Sequence, residues 1–257
     1  MIVIKLGGSV ITVKNKPYTV NFSNIKLIAG EIARALPKIK EELILVHGTG
    51  SFGKPPALKY GYMNGAIKSA AIPVAKIKSE ILRLHCELIK GLVEQGIKAI
   101  SAPCDSLIEF SGGKIKKINK SHIKKWLKKG FLPVINSDIL VDGKCFAVCS
   151  SDNIASSLAG DFNADKLIFL TDVDGVYDDN NNLMKKILKS DLLELKFHLK
   201  KEAEDVSGAM AGKIKQIVAI LGQKHNLKIH ILNGFSQGRL KGLLLGKSPR
   251  QTVIIND

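Results

Sequence analysis

The chain has 257 residues, 45% of them hydrophobic, which suits one large domain or two small lobes around a substantial core. No apolar run approaches the roughly 20 residues of a membrane span, and the first residues, MIVIKLGGSV, lack the pattern of a secretory signal. The formal net charge of +16 allows nucleic-acid binding, although the lysines are dispersed and aromatic residues make up only 5%. An anionic small substrate would benefit from the same positive field, so the charge alone does not decide. We expect neither a membrane nor a nucleic-acid partner.

Short apolar runs with strand character alternate with helical patterns along the chain. The strand-like runs are 2–6, 43–46, 99–102, 132–135, 167–170 and 228–232, and the helical patterns are 24–36, 74–95, 120–129, 152–162 and 208–224. Such alternation predicts a parallel sheet between helices. Hairpins are predicted at 139–148, around Asp142-Gly143, and near 114–118, after Gly112-Gly113.

The cysteines give little indication of a metal or disulfide framework. Cys86, Cys104, Cys145 and Cys149 show no C-x-x-C spacing. The sequence therefore predicts neither a zinc site nor a disulfide scaffold, and it suggests a reducing cytoplasm as the location.

Four glycine-containing stretches, three of them directly after predicted strands, favour the binding of phosphate groups. They are IKLGGSVIT (4–12), LVHGTGSFGKPPALKYG (45–61), FLTDVDGVYDDN (169–180) and DVSGAMAGKIKQI (205–217). Glycine allows close backbone approach, so exposed N–H groups there can bind an anion, and Lys5, Lys54 and Lys213 stand beside them. The stretch IKLGGSVIT has neither the Walker A spacing nor the G-x-G-x-x-G fingerprint. Each stretch taken alone is also compatible with an ordinary turn. Asp172 and Asp174 could hold magnesium, order a lysine or contact a nucleotide.

The order of these motifs carries a family resemblance. K-x-G-G-S, H-G-x-G-S-F-G, S-S-D-N, T-D-V-D-G-V and D-V-S-G-A-M-x-x-K, spread over residues 5 to 213, resemble the amino acid kinase superfamily. Within that superfamily the chain most resembles the isopentenyl phosphate kinases, and the stretches that carry this resemblance are GSFGKPPA and TVKNKPYT. The fosfomycin kinases share much of the same pattern. The resemblance implies a three-layer α/β/α sandwich with a mostly parallel central sheet, in a single domain of residues 1–257. It also implies an acceptor-binding lobe of about 1–150, a nucleotide-binding lobe of about 151–257, and a homodimer.

The resemblance implies roles for individual residues. Those implied to be catalytic are Lys5, Lys14 and Asp152. Those implied to bind the phosphorylated acceptor are Gly48, Thr49, Gly50, Gly53, Lys54, Ser150 and Ser151. Those implied to bind ATP, supplied as its Mg²⁺ complex, are Gly7, Gly8, Ser9, Asp172, Asp174, Gly175, Gly208 and Lys213. No protein ligand for a metal is assigned.

Two departures from the family pattern leave alternatives open. Lys54 stands where the family usually has a histidine, and Thr49 stands where a glycine is common, so its side chain would narrow the site. The leading hypothesis is ATP-dependent phosphorylation of isopentenyl phosphate. The alternatives are a kinase for a phosphonate such as fosfomycin or another alkyl phosphate, a non-catalytic nucleotide-binding protein and, last, a nucleic-acid-binding protein.

An isoprenoid tail would need an apolar pocket between the second strand and the middle hairpin. The apolar residues there are Tyr60, Tyr62, Met63, Ile67, Ile72, Val74, Ile77, Ile81, Leu84 and Leu88. Apolar residues that pack in the hydrophobic core have the same spacing in sequence. These residues therefore line either an acceptor pocket or the core.

Overall fold

The computed structural model of the chain describes residues 1–53, 55–56, 71–192, 217, 220–221 and 226–257. Its strands are β1 (Ile2–Leu6), β2 (Leu43–His47), β3 (Ala99–Ser101), β4 (Ile108–Ser111), β5 (Lys114–Ile118), β6 (Leu132–Asn136), β7 (Asp138–Asp142), β8 (Cys145–Cys149), β9 (Lys166–Thr171), β10 (Lys186–Leu188), β11 (Lys228–Asn233) and β12 (Thr252–Ile255). Its helices are α1 (Gly8–Ile11), α2 (Phe22–Ala35), α3 (Ala71–Glu94), α4 (Cys104–Leu107), α5 (Lys120–Leu127), α6 (Ser151–Asp161) and α7 (Arg239–Leu244).

Eight of these strands form one sheet, in the order β10-β12-β11-β9-β1-β2-β6-β3. Its neighbouring strands are parallel, except that β11 and β12 are antiparallel. The strands β4 and β5 form one separate hairpin, and β7 and β8 form another. The prediction of a mostly parallel central sheet is therefore confirmed, and this sheet runs without interruption through both halves of the sequence.

Helices cover both faces of the sheet, which explains the unbroken apolar runs in its central strands. All five residues of β1 are buried. Because side chains alternate between the faces of a strand, Val3 shares a core with Ile154 of α6, while Ile4 shares the opposite core with Ile28 of α2. The two cores and the sheet between them make up the predicted three-layer sandwich.

The register of the central strands determines where a site can form. Leu6, at the end of β1, is paired with His47 of β2 on one side and with Leu170 of β9 on the other. Because the three strands are parallel and end together, the loops that follow them leave the sheet at the same edge. Ligands of open α/β sheets bind at this carboxyl edge.

Most predicted elements are present close to their predicted bounds. The six predicted strands and both hairpins are confirmed, as are four helices. The fifth predicted helix, 208–224, lies almost entirely outside the described residues. The unpredicted elements are β10, β12, α7, α1 and α4, which have three to six residues each.

The two hairpins are joined by one carboxylate. Asp142 of β7 accepts hydrogen bonds from the backbone N–H groups of Gly112 and Gly113, each at 2.7 Å. Both glycines have positive φ, 60° and 70°, which two-residue hairpin turns require.

In the described parts of the chain, no helix is long and apolar enough to cross a membrane.

Helix α7 is capped by a carboxylate from α2. Glu31 is only 2% exposed, and it accepts hydrogen bonds from the backbone N–H groups of Gly238 and, at 2.8 Å, Lys241. N–H groups in the first turn of a helix have no acceptor within the helix, and a negative charge there is favourable. Glu31 therefore fixes α7 to the layer formed by α2.

We expect Glu31→Ala to lower the free energy of unfolding by about 1–3 kcal/mol, because two N–H groups lose their acceptor. Urea unfolding followed by circular dichroism measures this difference. Glu94→Ala, which removes an exposed glutamate from α3, is the control and should change the value by less than about 0.5 kcal/mol. An equally small change for Glu31→Ala would contradict the capping role.

Candidate active site

The loops after β1 and β2 touch through two glycines. A Cβ atom on Gly8 would overlap the backbone of Gly50, and Gly50 has a φ of 48°, which side chains rarely adopt. Thr12 joins the two loops, since its Oγ1 donates to the Gly8 carbonyl at 2.8 Å and accepts from the Ser51 N–H at 3.0 Å. The contact requires glycine at both positions.

Lys5 and Asp152 form an ion pair beside these loops. Lys5 lies one residue before the end of β1, and its Nζ is 2.8 Å from Oδ1 of Asp152 in the first turn of α6. The two side chains are 8% and 23% exposed. Ser150 caps α6 by accepting the Asn153 N–H at 3.2 Å, which determines where the helix begins and hence where Asp152 stands. An ammonium group has three N–H donors, so Lys5 can bind further anionic oxygens.

A second lysine pairs with the loop after β9. Nζ of Lys14 lies 3.5 Å from Oδ2 of Asp172, and the lysine side chain is 76% exposed. Thr171 donates to the other oxygen of Asp172 at 3.1 Å. An exposed pair of this length is weak, so an anionic ligand could displace the carboxylate from Lys14.

Asp174 is held by two arginines. Its Oδ1 lies 2.5 Å from Nη1 of Arg239, and its Oδ2 lies 2.6 Å from Nε of Arg250. Burial opposes ionisation, but the hydrogen bonds from Arg239 and Arg250 hold the pKa of Asp174 below its usual range. The neighbouring Gly175 lies against Thr252, whose Oγ1 accepts the Val176 N–H at 2.8 Å. These contacts tie the loop after β9 to α7 and β12, and a contact of Asp174 with a nucleotide stays a prediction.

Gly48 and Ser151, two of the predicted acceptor-binding residues, come together beside Gly8, where three loops meet. A Cβ atom on Gly48 would stand 3.0 Å from the Gly8 nitrogen and 3.2 Å from Oγ of Ser151. The Thr49 side chain lies over Gly53, where a Cβ atom would overlap its Oγ1, so it packs within its own loop. No described residue accepts a hydrogen bond from the Thr49 N–H.

Several predicted residues have no description in the structure. Lys54, Gly208 and Lys213 lie outside the described residues, as do Tyr60, Tyr62, Met63 and Ile67 of the predicted acceptor pocket. Their roles stay predictions from the sequence.

The described apolar residues of α3 divide into three groups. Leu84 and Leu88 belong to the core beside α2. Val74, Ile77 and Ile81 form a small separate cluster with Ile139 of β7. Ile72 is 67% exposed. The small cluster therefore lies between α3 and the β7–β8 hairpin.

The described residues do not form a resident magnesium site. Within the described ranges, no group of three or more His, Cys, Asp and Glu side chains is placed to hold a metal ion. Asp152 and Asp172, the carboxylates nearest the glycine loops, each lie within 3.5 Å of a lysine ammonium.

Thr12, Arg239 and Arg250 are site residues that the sequence motifs did not indicate. The two arginines lie 65 and 76 positions from Asp174 in the chain, so no local motif joins them to it. Thr12 was within a quoted motif, but only the approach of the two loops shows what its hydroxyl binds.

Comparison with known proteins identifies the family of the chain. The amino acid kinase family matches it over residues 1–233. The chain belongs to the amino acid kinase family. It is therefore a phosphotransferase.

Relatives within the family cover nearly the whole chain. The chain is 34% identical over 256 residues to isopentenyl phosphate kinase from Methanocaldococcus jannaschii, and the match covers 95% of each protein. It is 31% identical over 270 residues to isopentenyl phosphate kinase from Methanothermobacter thermautotrophicus, covering 99% of this chain and 98% of that one. An X-ray structure of isopentenyl phosphate kinase is similar with a TM-score of 0.83 and 28% identity, over 99% of each chain. The predicted family and fold are thus confirmed.

The arginine pairs of Asp174 predict a pH-dependent stability. The folded-state pKa of Asp174 is depressed, so its stabilisation is fully present above the unfolded pKa of about 3.9 and is lost as pH falls through the folded pKa. Asp174→Asn should therefore lower the free energy of unfolding by about 1–2 kcal/mol at about pH 6. This difference should shrink as the pH is lowered towards about 3.

Urea unfolding of both proteins across this pH range measures the difference. Asp179→Asn, at an exposed position of the same loop region, is the matched control and should show a small, constant difference. A difference for Asp174→Asn that stays constant with pH would show that its ion pairs do not stabilise the fold.

Proposed function

We propose that the chain transfers the γ-phosphoryl group of ATP to the phosphate of isopentenyl phosphate, giving isopentenyl diphosphate and ADP. The relatives named isopentenyl phosphate kinase, similar over nearly the full chain, support this choice of acceptor. The structural observation that carries the proposal is the Lys5–Asp152 ion pair, which lies at the carboxyl edge of the sheet beside two glycine loops in backbone contact.

Lys5 is the cation that the transfer requires. Charge on the transferring phosphoryl group is spread over its oxygens, so a fixed ammonium stabilises it without moving during the reaction. Asp152 holds Nζ of Lys5 at 2.8 Å and keeps it in place. Lys14, already near the loop after β9, adds a second positive charge on the nucleotide side.

The acceptor phosphate binds to the loop after β2 in this proposal. The Thr49 N–H, which has no acceptor among the described residues, donates to it, with Gly48 and Ser151 close by. Lys54 follows in the sequence and supplies a further cation, on the family resemblance alone. We also propose that the acceptor-binding lobe consists mainly of residues of about 1–150 and the nucleotide-binding lobe mainly of residues of about 151–257.

The chemistry needs no strong general base. The second pKa of a phosphate monoester is about 6, so the acceptor is largely dianionic at neutral pH. One of its oxygens forms a bond to the γ-phosphorus while the bond from that phosphorus to the β–γ bridging oxygen breaks and ADP leaves with the electron pair. Positioning and charge neutralisation then supply most of the rate enhancement.

ATP enters this proposal as its magnesium complex. No protein ligand for the ion is proposed, and the carboxylates nearest the glycine loops lie beside lysines. Homodimerisation stays a prediction from the family resemblance, and light scattering of the purified protein tests it.

The proposal predicts which acceptor stimulates ADP release. ADP release by the purified protein with Mg²⁺ and ATP is measured in the presence of isopentenyl phosphate, dimethylallyl phosphate, fosfomycin or N-acetylglutamate, and without an acceptor. Isopentenyl phosphate should give the highest kcat/KM, with isopentenyl diphosphate as the product detected by mass spectrometry.

Each other result has a definite meaning. Stimulation by fosfomycin or N-acetylglutamate alone would leave the phosphotransferase in place and reject the acceptor. ATP binding without turnover on any acceptor would favour the non-catalytic nucleotide-binding alternative.

The ion pair predicts coupled losses of turnover. Lys5→Met should lower kcat by about 10³-fold, since it removes a charge that stabilises the transferring group. Asp152→Asn should lower kcat by about 10²-fold, because Lys5 loses the group that positions it. The double variant should be close to Lys5→Met alone, since the two residues act as a unit.

Asp161→Asn is the matched control for these variants. Asp161 lies at the other end of α6 and pairs with Lys120 at 3.4 Å on the surface. Its replacement should leave kcat unchanged. Full activity of Asp152→Asn, or additive losses in the double variant, would reject the role of the pair.

A further inference from the structure

Three side chains form a hydrogen-bonded chain that leads to the glycine loop after β2. Nε2 of His47, the last residue of β2, lies 2.9 Å from Nδ1 of His85 in α3. Nε2 of His85 lies 2.8 Å from Oγ of Ser101, at the end of the edge strand β3. At the other end, Nδ1 of His47 lies 3.0 Å from the carbonyl oxygen of Gly48. We call these side chains the His47–His85–Ser101 chain.

The two imidazoles are buried and meet edge to edge. His47 is fully buried and His85 is 1% exposed. Their ring centroids are 5.1 Å apart and the ring planes differ by 22°, which with the short N–N distance is the arrangement of an in-plane N–H···N hydrogen bond. Neither histidine is used by the ion pairs of the site.

The direction of every hydrogen bond in this chain is determined. Burial, reinforced by the neighbouring His85, lowers the pKa of His47 to about 3, and burial lowers the pKa of His85 to about 4, so both rings are neutral. The Gly48 carbonyl can only accept, so Nδ1 of His47 carries the proton and its Nε2 accepts. Nδ1 of His85 must then donate and its Nε2 must accept from the Ser101 hydroxyl.

The bond to Gly48 also determines the orientation of the next N–H. The peptide between Gly48 and Thr49 is trans, so its C=O and N–H point in opposite directions. With the carbonyl held by the buried His47 ring, the Thr49 N–H points away from that ring. No described residue accepts a hydrogen bond from this N–H.

We infer that His47, His85 and Ser101 are positioning residues, which hold the Gly48 carbonyl so that the Thr49 N–H is presented to the phosphate of the acceptor. This inference rests on the proposed function for the identity of that acceptor. It assigns a role to a serine and two histidines that lie outside the glycine motifs or at their margin. The role is selective, because the contact to Gly48 affects the acceptor side and not Lys14 or the loop after β9.

Two substitutions of His47 separate this role from general packing. Gln places its amide near the position of Nε2 and offers no donor to Gly48, whereas Asn places an amide N–H near the position of Nδ1. His47→Gln should raise the KM for isopentenyl phosphate about tenfold and change the KM for ATP less than about twofold. His47→Asn should have a KM for isopentenyl phosphate close to that of the wild type.

Ser101→Ala tests the exposed end of the chain without disturbing the core. It should raise the acceptor KM by a smaller factor, about two- to threefold, because water can replace the hydroxyl. Ser79→Ala, at an exposed serine of α3 that bonds only to the Lys76 carbonyl, is the control and should leave both KM values unchanged. A merely structural role would lower the folded fraction and hence kcat, with both KM values unaltered, and that result would overturn the inference.

Nuclear magnetic resonance supplies a readout that does not need turnover. Spectra of ¹⁵N-labelled imidazoles should show the Nδ1–H tautomer for both His47 and His85, and an Nε2–H tautomer for His47 would overturn the inference. Inorganic phosphate should shift the Thr49 amide resonance in the wild type and bind about tenfold more weakly to His47→Gln. Absence of that shift in the wild type would also overturn it.

These readouts distinguish the two proposals. Wild-type protein that is inactive with isopentenyl phosphate, yet shows the phosphate shift and its loss in His47→Gln, would reject the acceptor and retain the positioning role. Wild-type activity with an unchanged acceptor KM in His47→Gln would reject the positioning role and retain the acceptor.

Discussion

The backbone contact between Gly8 and Gly50 is the constraint on which the site depends. Because neither residue has a side chain, the loops after two neighbouring parallel strands approach until Thr12 can bond to both. Lys5 lies three residues before Gly8, on the central strand β1, so its ammonium is fixed beside the place where the loops meet. A larger residue at either glycine would separate the two loops and the groups that lie beside them.

The positive charge of the site is organised by a few carboxylates. A buried ammonium needs a partner, and Asp152 serves Lys5 in this way without saturating its donors. Asp174 shows the opposite arrangement, because each of its oxygens contacts an arginine. Arg239 joins the loop after β9 to α7, and Arg250 joins it to the segment before β12. Lys5 therefore has one carboxylate partner among the described residues, whereas each oxygen of Asp174 contacts an arginine.

Local sequence patterns predicted most of the fold. Five-residue apolar runs such as β1 are recognisable because a central parallel strand is buried on both faces. The Asp142-Gly143 and Gly112-Gly113 turns are recognisable because hairpins need positive φ there. β10, β12 and α7 were missed because they are short and owe their stability to distant partners, as α7 does to Glu31. Lys54, Gly208 and Lys213 remain known from sequence alone.

The sequence by itself determined the order of strands and helices, the glycine motifs and the residue types around them, since these follow from local periodicity and backbone freedom. Only the tertiary structure decided which of these residues meet. Asp152 reaches Lys5, the two arginines reach Asp174 and the His47–His85–Ser101 chain reaches Gly48 because the sheet register and helix packing bring distant segments within hydrogen-bond distance. Contacts between residues far apart in the chain leave no periodic signal in a single sequence, which is why the pairing had to be read from the fold.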